Sequence, residues 1–73
     1  MGGKKSAITN QIKTLRKTRG MSQQALADAV GATRQTVLAL EAARYSPSLE
    51  LAFRIAHVLG KPVDKVFHFT PEW

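Results

Sequence analysis

The chain of 73 residues contains no cysteine, so neither disulfide bonds nor thiolate metal sites can stabilise it. No apolar run approaches the roughly 18 residues that a membrane-spanning helix needs, and no secretory signal segment stands out. These absences predict a cytoplasmic protein with no membrane partner. A core this small supplies only a few kcal/mol of net stability, so we expect close helix packing, dimerisation or both to stabilise the fold.

Residues that could support catalysis are also scarce. The side chains able to act as bases near neutral pH are His57 and His68, which stand in different predicted elements. Neither has a cysteine or paired carboxylates nearby to build a metal site or activate a nucleophile. The chain also has no glycine-rich loop of the kind that cradles a phosphate. The sequence therefore predicts a protein that is not an enzyme and that needs no metal or cofactor.

Acidic residues are absent from the first twenty positions, which carry six of the eleven lysines and arginines. The rest of the chain balances five basic against five acidic residues, so the net charge of +6 comes from the amino-terminal end. This asymmetry favours a polyanionic partner, although a solvated basic face also explains it. Residues 1–6 fit the loose N-myristoylation pattern, and a flexible basic arm explains the same residues.

Apolar residues recur at helical spacing in five segments, which predicts a compact all-α, five-helix fold. In the first segment Ile8 begins the apolar face, and Ser6 or Thr9 is placed to cap the helix. Ser46-Pro47-Ser48 is expected to form a turn and a cap for the fourth. The predicted helices cover residues 7–18, 22–30, 33–42 and 49–59, followed by a short helix after Pro62. The expected organisation is a basic arm, a folded domain and an aromatic tail, at residues 1–6, 7–67 and 68–73.

A glycine turn joins the second and third predicted helices. Leu26 and Val30, four residues apart, form an apolar ridge on the second helix. Val37 and Leu40, three apart, form the facing ridge on the third. Gly31 follows the last periodic residue of the second helix, where a left-handed backbone conformation suits only glycine. This spacing is the layout of a helix-turn-helix.

Further segments around this unit carry a family pattern. They are Leu15-Arg16-Lys17, Gly20-Met21-Ser22-Gln23, Thr33-Arg34-Gln35-Thr36-Val37, Glu41 and residues 44–52. Together they resemble the lambda-repressor and Cro class of helix-turn-helix regulators, the xenobiotic-response-element type, over about residues 8–67. The resemblance implies that the third helix enters the major groove of double-stranded DNA. It also implies a homodimer bound to a two-fold-symmetric operator.

The resemblance implies that the amino end of the third helix lies closest to the bases. Arg34 can donate a bidentate pair of hydrogen bonds to guanine, and Gln35 can pair with adenine. Ala39, one turn further on, can at most touch a thymine methyl group. We therefore expect base-specific hydrogen bonds from Arg34 and Gln35.

Phosphate contacts are expected beside these base-reading residues. Gln23 opens the second helix, where its amide and the helix N–H groups can hold a phosphate. The resemblance adds a bracing contact from Gln23 to Gln35. Thr33 and Thr36 offer short hydroxyls, although Thr33 is equally well explained as a helix cap. Arg44, just past the third helix, can reach the DNA backbone.

The resemblance also assigns a scaffold ion pair to Arg16 and Glu41, which would hold the third helix at a fixed angle. In this chain Ala42 and Ala43 replace the Asn-Gly that commonly follows this glutamate in the family. The third helix lacks its usual glycine stop, so we expect it to run longer or to end under strain. Leu38 lies on a face that the periodicity predicts to be exposed.

The last seven residues contain three of the five aromatic residues. Phe67 and Phe69 alternate across His68, as in an edge strand that pairs with its copy in a second subunit. Alternatively, Phe67 and Trp73 fold back onto the fourth helix near Phe53. The symmetry of the expected operator favours dimerisation through Phe67, Phe69 and Trp73.

These features predict a sequence-specific DNA-binding regulator, a repressor that acts on the nucleoid as a homodimer. One alternative is an antitoxin, a class that often uses this domain, with the aromatic tail binding a toxin. Another is non-specific binding of polyanions or membrane surfaces through the basic amino terminus.

Overall fold

The computed structural model describes residues 7–44 and 46–71, and the expected arm at residues 1–6 and Trp73 lie outside these ranges. Within them, two short strands and five helices follow one another. The strands are β1 (Ile8–Asn10) and β2 (Phe67–Phe69). The helices are α1 (Ile12–Thr18), α2 (Gln23–Val30), α3 (Arg34–Glu41), α4 (Leu49–Leu59) and α5 (Val63–Val66).

The apolar faces of all five helices meet in one core. The two ridges predicted on α2 and α3 are confirmed, because their four residues are all buried. Each large apolar side chain removed from water in this way stabilises the fold by about 1.5–3 kcal/mol. The buried residues of the cluster are Ile12, Leu26, Ala27, Val30, Val37, Leu40, Ile55, Ala56, Leu59 and Val66.

Side-chain caps begin three of the helices where the sequence predicts them. The hydroxyl oxygens of Ser22, Thr33 and Ser48 each accept a hydrogen bond from a backbone N–H three residues later, at 3.0, 3.2 and 3.1 Å. Such a bond satisfies one of the N–H groups that a helix start leaves without a partner, and it contributes about 1 kcal/mol. The caps place the starts of α2, α3 and α4.

The end of α3 departs from the other long helices, each of which is followed within two residues by a glycine of positive φ. Here Ala43 takes that position, with φ +57°. The backbone N–H groups of Ala43 and Arg44 donate to the carbonyls of Leu40 and Ala39, at 2.9 and 3.0 Å, so the usual helix-terminating turn forms without glycine. The Cβ of Ala43 makes a positive φ unfavourable, so of the two expected outcomes the helix ends under backbone strain, at Glu41, and does not run longer.

The prediction of a first helix over residues 7–18 is wrong at its start, because α1 begins at Ile12. Residues 8–10 instead form β1, which pairs antiparallel with β2 and sets Ile8 opposite Phe69. Thr9 therefore lies in a strand and does not cap α1. Ile8 stands one helical period before Ile12, so local periodicity could not distinguish a strand whose partner lies at the other end of the chain.

The strand expected at Phe67 and Phe69 is present as β2, but its partner in the structure is β1 of the same chain. Phe67 is half-buried and packs against the helical core of its own chain, and its strand pairs with β1. Phe69 is 57% exposed. Because β2 continues to Phe69, His68 and Phe69 belong to the same sheet as β1 and extend the folded unit past residue 67. No helix within the described ranges is long and apolar enough to cross a membrane.

Candidate nucleic-acid interface

The first turn of α3 presents polar side chains outward. Arg34 and Gln35 are both exposed, while Val37 and Leu40 on the same helix are buried in the core. The buried face anchors the helix, and helical geometry then directs the two polar residues away from the protein. Their guanidinium and amide groups are free to meet a flat hydrogen-bonding partner.

The middle of α3 offers less polar chemistry. Ala39 is half-buried, and Leu38 is 38% exposed, in line with the exposed face that the periodicity predicts for it. The only groups these two side chains can offer a ligand are apolar. The exposed polar side chains of α3 that could hydrogen-bond to a ligand therefore include Arg34 and Gln35 at its amino end.

Thr33 and Thr36 form a small hydroxyl pair at that end. Their Oγ1 atoms lie 3.0 Å apart, and the Thr36 N–H donates to Thr33 Oγ1 at 3.2 Å. The cap role considered for Thr33 is thus present in the structure. Thr33 is exposed and Thr36 half-buried, so the pair borders the surface that carries Arg34 and Gln35.

A buried ion pair supports the other end of α3. Arg16 Nε donates to Glu41 Oε2 at 2.8 Å and Arg16 Nη2 to Glu41 Oε1 at 3.3 Å, with side chains only 7% and 8% exposed. The remaining Arg16 nitrogen, Nη1, donates to the Met21 carbonyl at 2.9 Å. This geometry satisfies both charges and joins α1 to the last residue of α3.

Gln23 joins this network. Its Nε2 donates to Glu41 Oε1 at 3.2 Å, so the first residue of α2 is bonded to the last residue of α3. The expected brace was to Gln35, and the hydrogen bond that Gln23 makes in the structure goes to Glu41. Arg44, which follows α3, is exposed, and its backbone N–H closes the last turn of the helix.

Two residues that sequence reasoning missed also hold the helix-turn-helix. Asn10 Nδ2 donates to the Leu40 carbonyl at 2.7 Å. Arg54 Nη1 donates to the Val30 carbonyl at 3.2 Å, just before the turn between α2 and α3, and the same guanidinium pairs with Glu50 one turn back on α4. The four-residue spacing of Glu50 and Arg54 was a visible signal, whereas the Asn10 contact spans thirty residues and left none.

An apolar surface lies around the start of α4. Leu49 is 73% exposed, and Phe53 and Phe69 are each 57% exposed. A groove of about 310 Å³ borders Leu49 and is lined mainly by Ile8, Pro47, Ala52, Val63 and Phe67. Among the described residues, no cluster of three His, Cys, Asp or Glu side chains is placed to hold a metal ion. The side chains that this surface presents are mainly apolar.

The chain is similar to known helix-turn-helix proteins in sequence, and to solved structures in fold. The sequence model of the helix-turn-helix family matches residues 12–66. An uncharacterized HTH-type transcriptional regulator from Methanothermobacter thermautotrophicus is 58% identical over 57 residues, covering 77% of this chain and 83% of the relative. A solved Bacteroides fragilis structure shares the fold, with a TM-score of 0.75 at 20% identity, covering 84% of this chain and 98% of its own. The clp gene regulator of Corynebacterium glutamicum gives a TM-score of 0.68 at 29% identity, covering 71% of this chain and 55% of its own.

Proposed function

Because the chain belongs to the helix-turn-helix family of the xenobiotic-response-element type, we propose that it is a transcriptional regulator that binds double-stranded DNA by sequence. The observation that carries this proposal is the exposure of Arg34 and Gln35 on the first turn of α3, above a buried apolar face. The major groove of B-form DNA is wide enough to admit an α-helix.

Base recognition then follows from side-chain chemistry. Arg34 can donate two hydrogen bonds to O6 and N7 of guanine, and Gln35 can both donate to and accept from adenine. Each such pair contributes about 1–3 kcal/mol of discrimination against the wrong base. Ala39 adds at most a contact with a thymine methyl group, so direct readout is concentrated in the two polar residues.

Phosphate contacts from the border of α3 would set the register of the protein on the duplex. Thr33, Thr36 and Arg44 flank the base-reading residues and offer two hydroxyls and a guanidinium. Gln23 opens α2, and we propose that it contacts a phosphate while keeping its bond to Glu41. The net charge of +6 favours the approach of a polyanion.

We further propose that the protein acts as a homodimer on a two-fold-symmetric operator and represses transcription by occupying it. The exposed apolar surface of Leu49, Phe53 and Phe69 supports a second copy as partner. Phe67 contributes less to this contact than the sequence suggests, because it packs on its own core. A role of Trp73 in dimerisation remains a prediction, since Trp73 lies outside the described residues. A regulator of this kind works in the cytoplasm, on the nucleoid.

The same apolar surface favours one second candidate, an antitoxin whose protein partner is a toxin. Co-purification of the full chain from its native source distinguishes the two. A homodimer alone supports the repressor, whereas a tightly bound small heterologous protein supports the antitoxin.

The decisive experiment selects bound fragments from random-sequence DNA and then compares the affinity for the selected site with that for a scrambled duplex. Arg34→Ala and Gln35→Ala should each lower the affinity for one selected half-site by about 5- to 150-fold, with a larger loss for a dimer on two half-sites, and leave the scrambled duplex less affected. Lys65→Ala, which removes one positive charge from α5, is the matched control and should preserve the preference.

Two outcomes contradict the proposal. One is equal affinity for every duplex offered, unchanged when Arg34 and Gln35 are both replaced by alanine. The other is loss of binding on removal of residues 1–6 while Gln35→Ala has no effect, which would instead support non-specific binding through the basic amino terminus.

A further inference from the structure

Asn10 uses both ends of its side-chain amide to join distant parts of the fold. Its Nδ2 donates to the carbonyl of Leu40 at 2.7 Å, and its Oδ1 accepts the backbone N–H of Ile12 at 3.1 Å. The residue ends β1, where it pairs with Phe67 of β2. A single side chain therefore connects the two-stranded sheet, the start of α1 and the end of α3.

The Leu40 carbonyl, which accepts the hydrogen bond from Asn10, lies in the last turn of α3. A helix leaves its last four carbonyls without partners inside the helix, and those of α3 are bonded by a turn that has Ala43 where glycine is usual. The N–H of Ala43 donates to the Leu40 carbonyl at 2.9 Å, so Asn10 is the second donor to this oxygen. The contact from Asn10 stabilises a helix end that is strained by itself.

The position of this contact relates it to base reading. Leu40 and Glu41 are neighbours, so the Asn10 bond and the Arg16 ion pair hold α3 at the same end. Arg34 lies six residues away, about 9 Å along the helix axis. A tilt of about 10° at the anchored end moves the far end by about 1.6 Å, and functional groups need to be held within about 0.5 Å.

We propose that Asn10 is a positioning residue for base readout, which sets the angle of α3 through the Leu40 carbonyl and thereby the ratio of specific to non-specific DNA affinity. This inference rests on the proposed function. Asn10 itself touches no base in this account. Because phosphate contacts tolerate small displacements better than bidentate base contacts do, loss of the anchor should weaken specific binding more than non-specific binding.

The test uses Asn10→Asp in the full chain. Aspartate keeps an oxygen that can accept the Ile12 N–H, but its second oxygen faces the Leu40 carbonyl with no proton to donate. The control is Thr9→Asp, which places the same charge on the exposed neighbouring position of β1. Affinities for a selected site and for a scrambled duplex are measured by fluorescence anisotropy, at a temperature where circular dichroism shows each variant to be folded.

We expect the ratio of specific to non-specific affinity to fall by about five- to tenfold in Asn10→Asp relative to Thr9→Asp. If Asn10→Asp does not fold, Asn10→Ala is compared with Thr9→Ala in the same way. Val58→Ala, which shortens a partly buried side chain packed against the core, should lower the stability but keep the wild-type ratio, which separates positioning from general loss of stability.

The outcomes separate this inference from the function on which it rests. A wild-type protein that prefers its selected site, together with an Asn10 variant whose ratio stays within a factor of about two of its Thr9 control, overturns the positioning role alone. A wild-type protein that binds every duplex equally overturns the proposed function and the inference with it.

Discussion

Arg16 and Glu41 form an almost completely buried ion pair, with Nε of the arginine 2.8 Å from Oε2 of the glutamate. The pair joins α1 to the carboxyl end of α3, and Gln23 adds the start of α2 to the same carboxylate. Each charge is thus surrounded by hydrogen bonds, which offset the cost of removing it from water. The helix that presents Arg34 and Gln35 is held at its far end by charge as well as by apolar packing.

Breaking this pair should be costly. Arg16→Met removes the positive charge and leaves Glu41 buried without its partner, so we expect the free energy of unfolding to fall by about 3–5 kcal/mol. A domain of this size has little more stability than that, so much of the variant should be unfolded at room temperature. Urea denaturation followed by circular dichroism measures the loss.

Two further variants test whether the expected loss of stability comes from leaving a buried charge without its partner. The double variant Arg16→Met, Glu41→Leu should recover most of the loss, because no unmatched charge remains. Glu50→Gln breaks the exposed pair with Arg54, whose side chains are 74% and 54% exposed, and should cost less than about 0.5 kcal/mol. Equal losses at the two pairs would contradict the account.

Ala43 offers a stabilising change. Its φ of +57° penalises any residue with a Cβ, so Ala43→Gly should raise the free energy of unfolding by about 0.5–1 kcal/mol, after allowing for the greater freedom of glycine in the unfolded chain. For a domain of this length the midpoint of thermal unfolding rises by about 2–8 °C. Ala42→Gly is the control, since Ala42 has a φ of −84° and should lose stability. A destabilised Ala43→Gly would show that the turn is not strained.

The parts of this fold that were predictable from sequence are local. The caps at Ser22, Thr33 and Ser48 were predictable because each hydroxyl residue directly precedes a segment with helical apolar spacing. The helix α4 likewise spans the residues 49–59 that its apolar spacing predicts. β1 was missed because a three-residue strand has no period of its own and depends on β2 for its hydrogen bonds. The caps depend on contacts three residues apart, whereas β1 depends on a strand at the other end of the chain.

The same division applies to the candidate site. The exposure of Arg34 and Gln35 follows from the position of Val37 and Leu40 on the opposite face, which any helical projection shows. The contacts that hold the helix were harder to predict. The amide of Asn10 reaches the Leu40 carbonyl only because the fold brings β1 beside the end of α3, so no local sequence motif predicts this hydrogen bond.

Arg44 should contribute affinity without sequence information. If its guanidinium contacts a phosphate, Arg44→Ala weakens binding to selected and scrambled duplexes alike and lowers the slope of log affinity against log salt concentration by about 1 per subunit. Titrations at several salt concentrations measure the slope. Gln35→Ala serves as the comparison, because an uncharged base-reading residue should change the preference and leave the slope unaltered. A change in sequence preference for Arg44→Ala would instead place this residue among the base-reading side chains.

The apolar surface around α4 should carry the dimer contact. Leu49→Gln combined with Phe69→Gln replaces two exposed apolar side chains and leaves the buried core unchanged. Burial of each of these side chains in a dimer would contribute about 1.5–3 kcal/mol to the free energy of association. The dimer dissociation constant should therefore rise by more than about a hundredfold, and binding to a two-half-site operator should weaken while single half-sites bind as before. Sedimentation velocity measures the first effect.

Leu38→Gln is the matched control for this experiment, since Leu38 is also an exposed apolar residue but lies on α3. It should leave the dimer intact, because the proposed contact involves α4 and the sheet. Wild-type protein that sediments as a monomer even at concentrations far above those needed for DNA binding would exclude a free dimer. Dimerisation that persists in the double variant but is lost in Leu38→Gln would move the contact from α4 to α3.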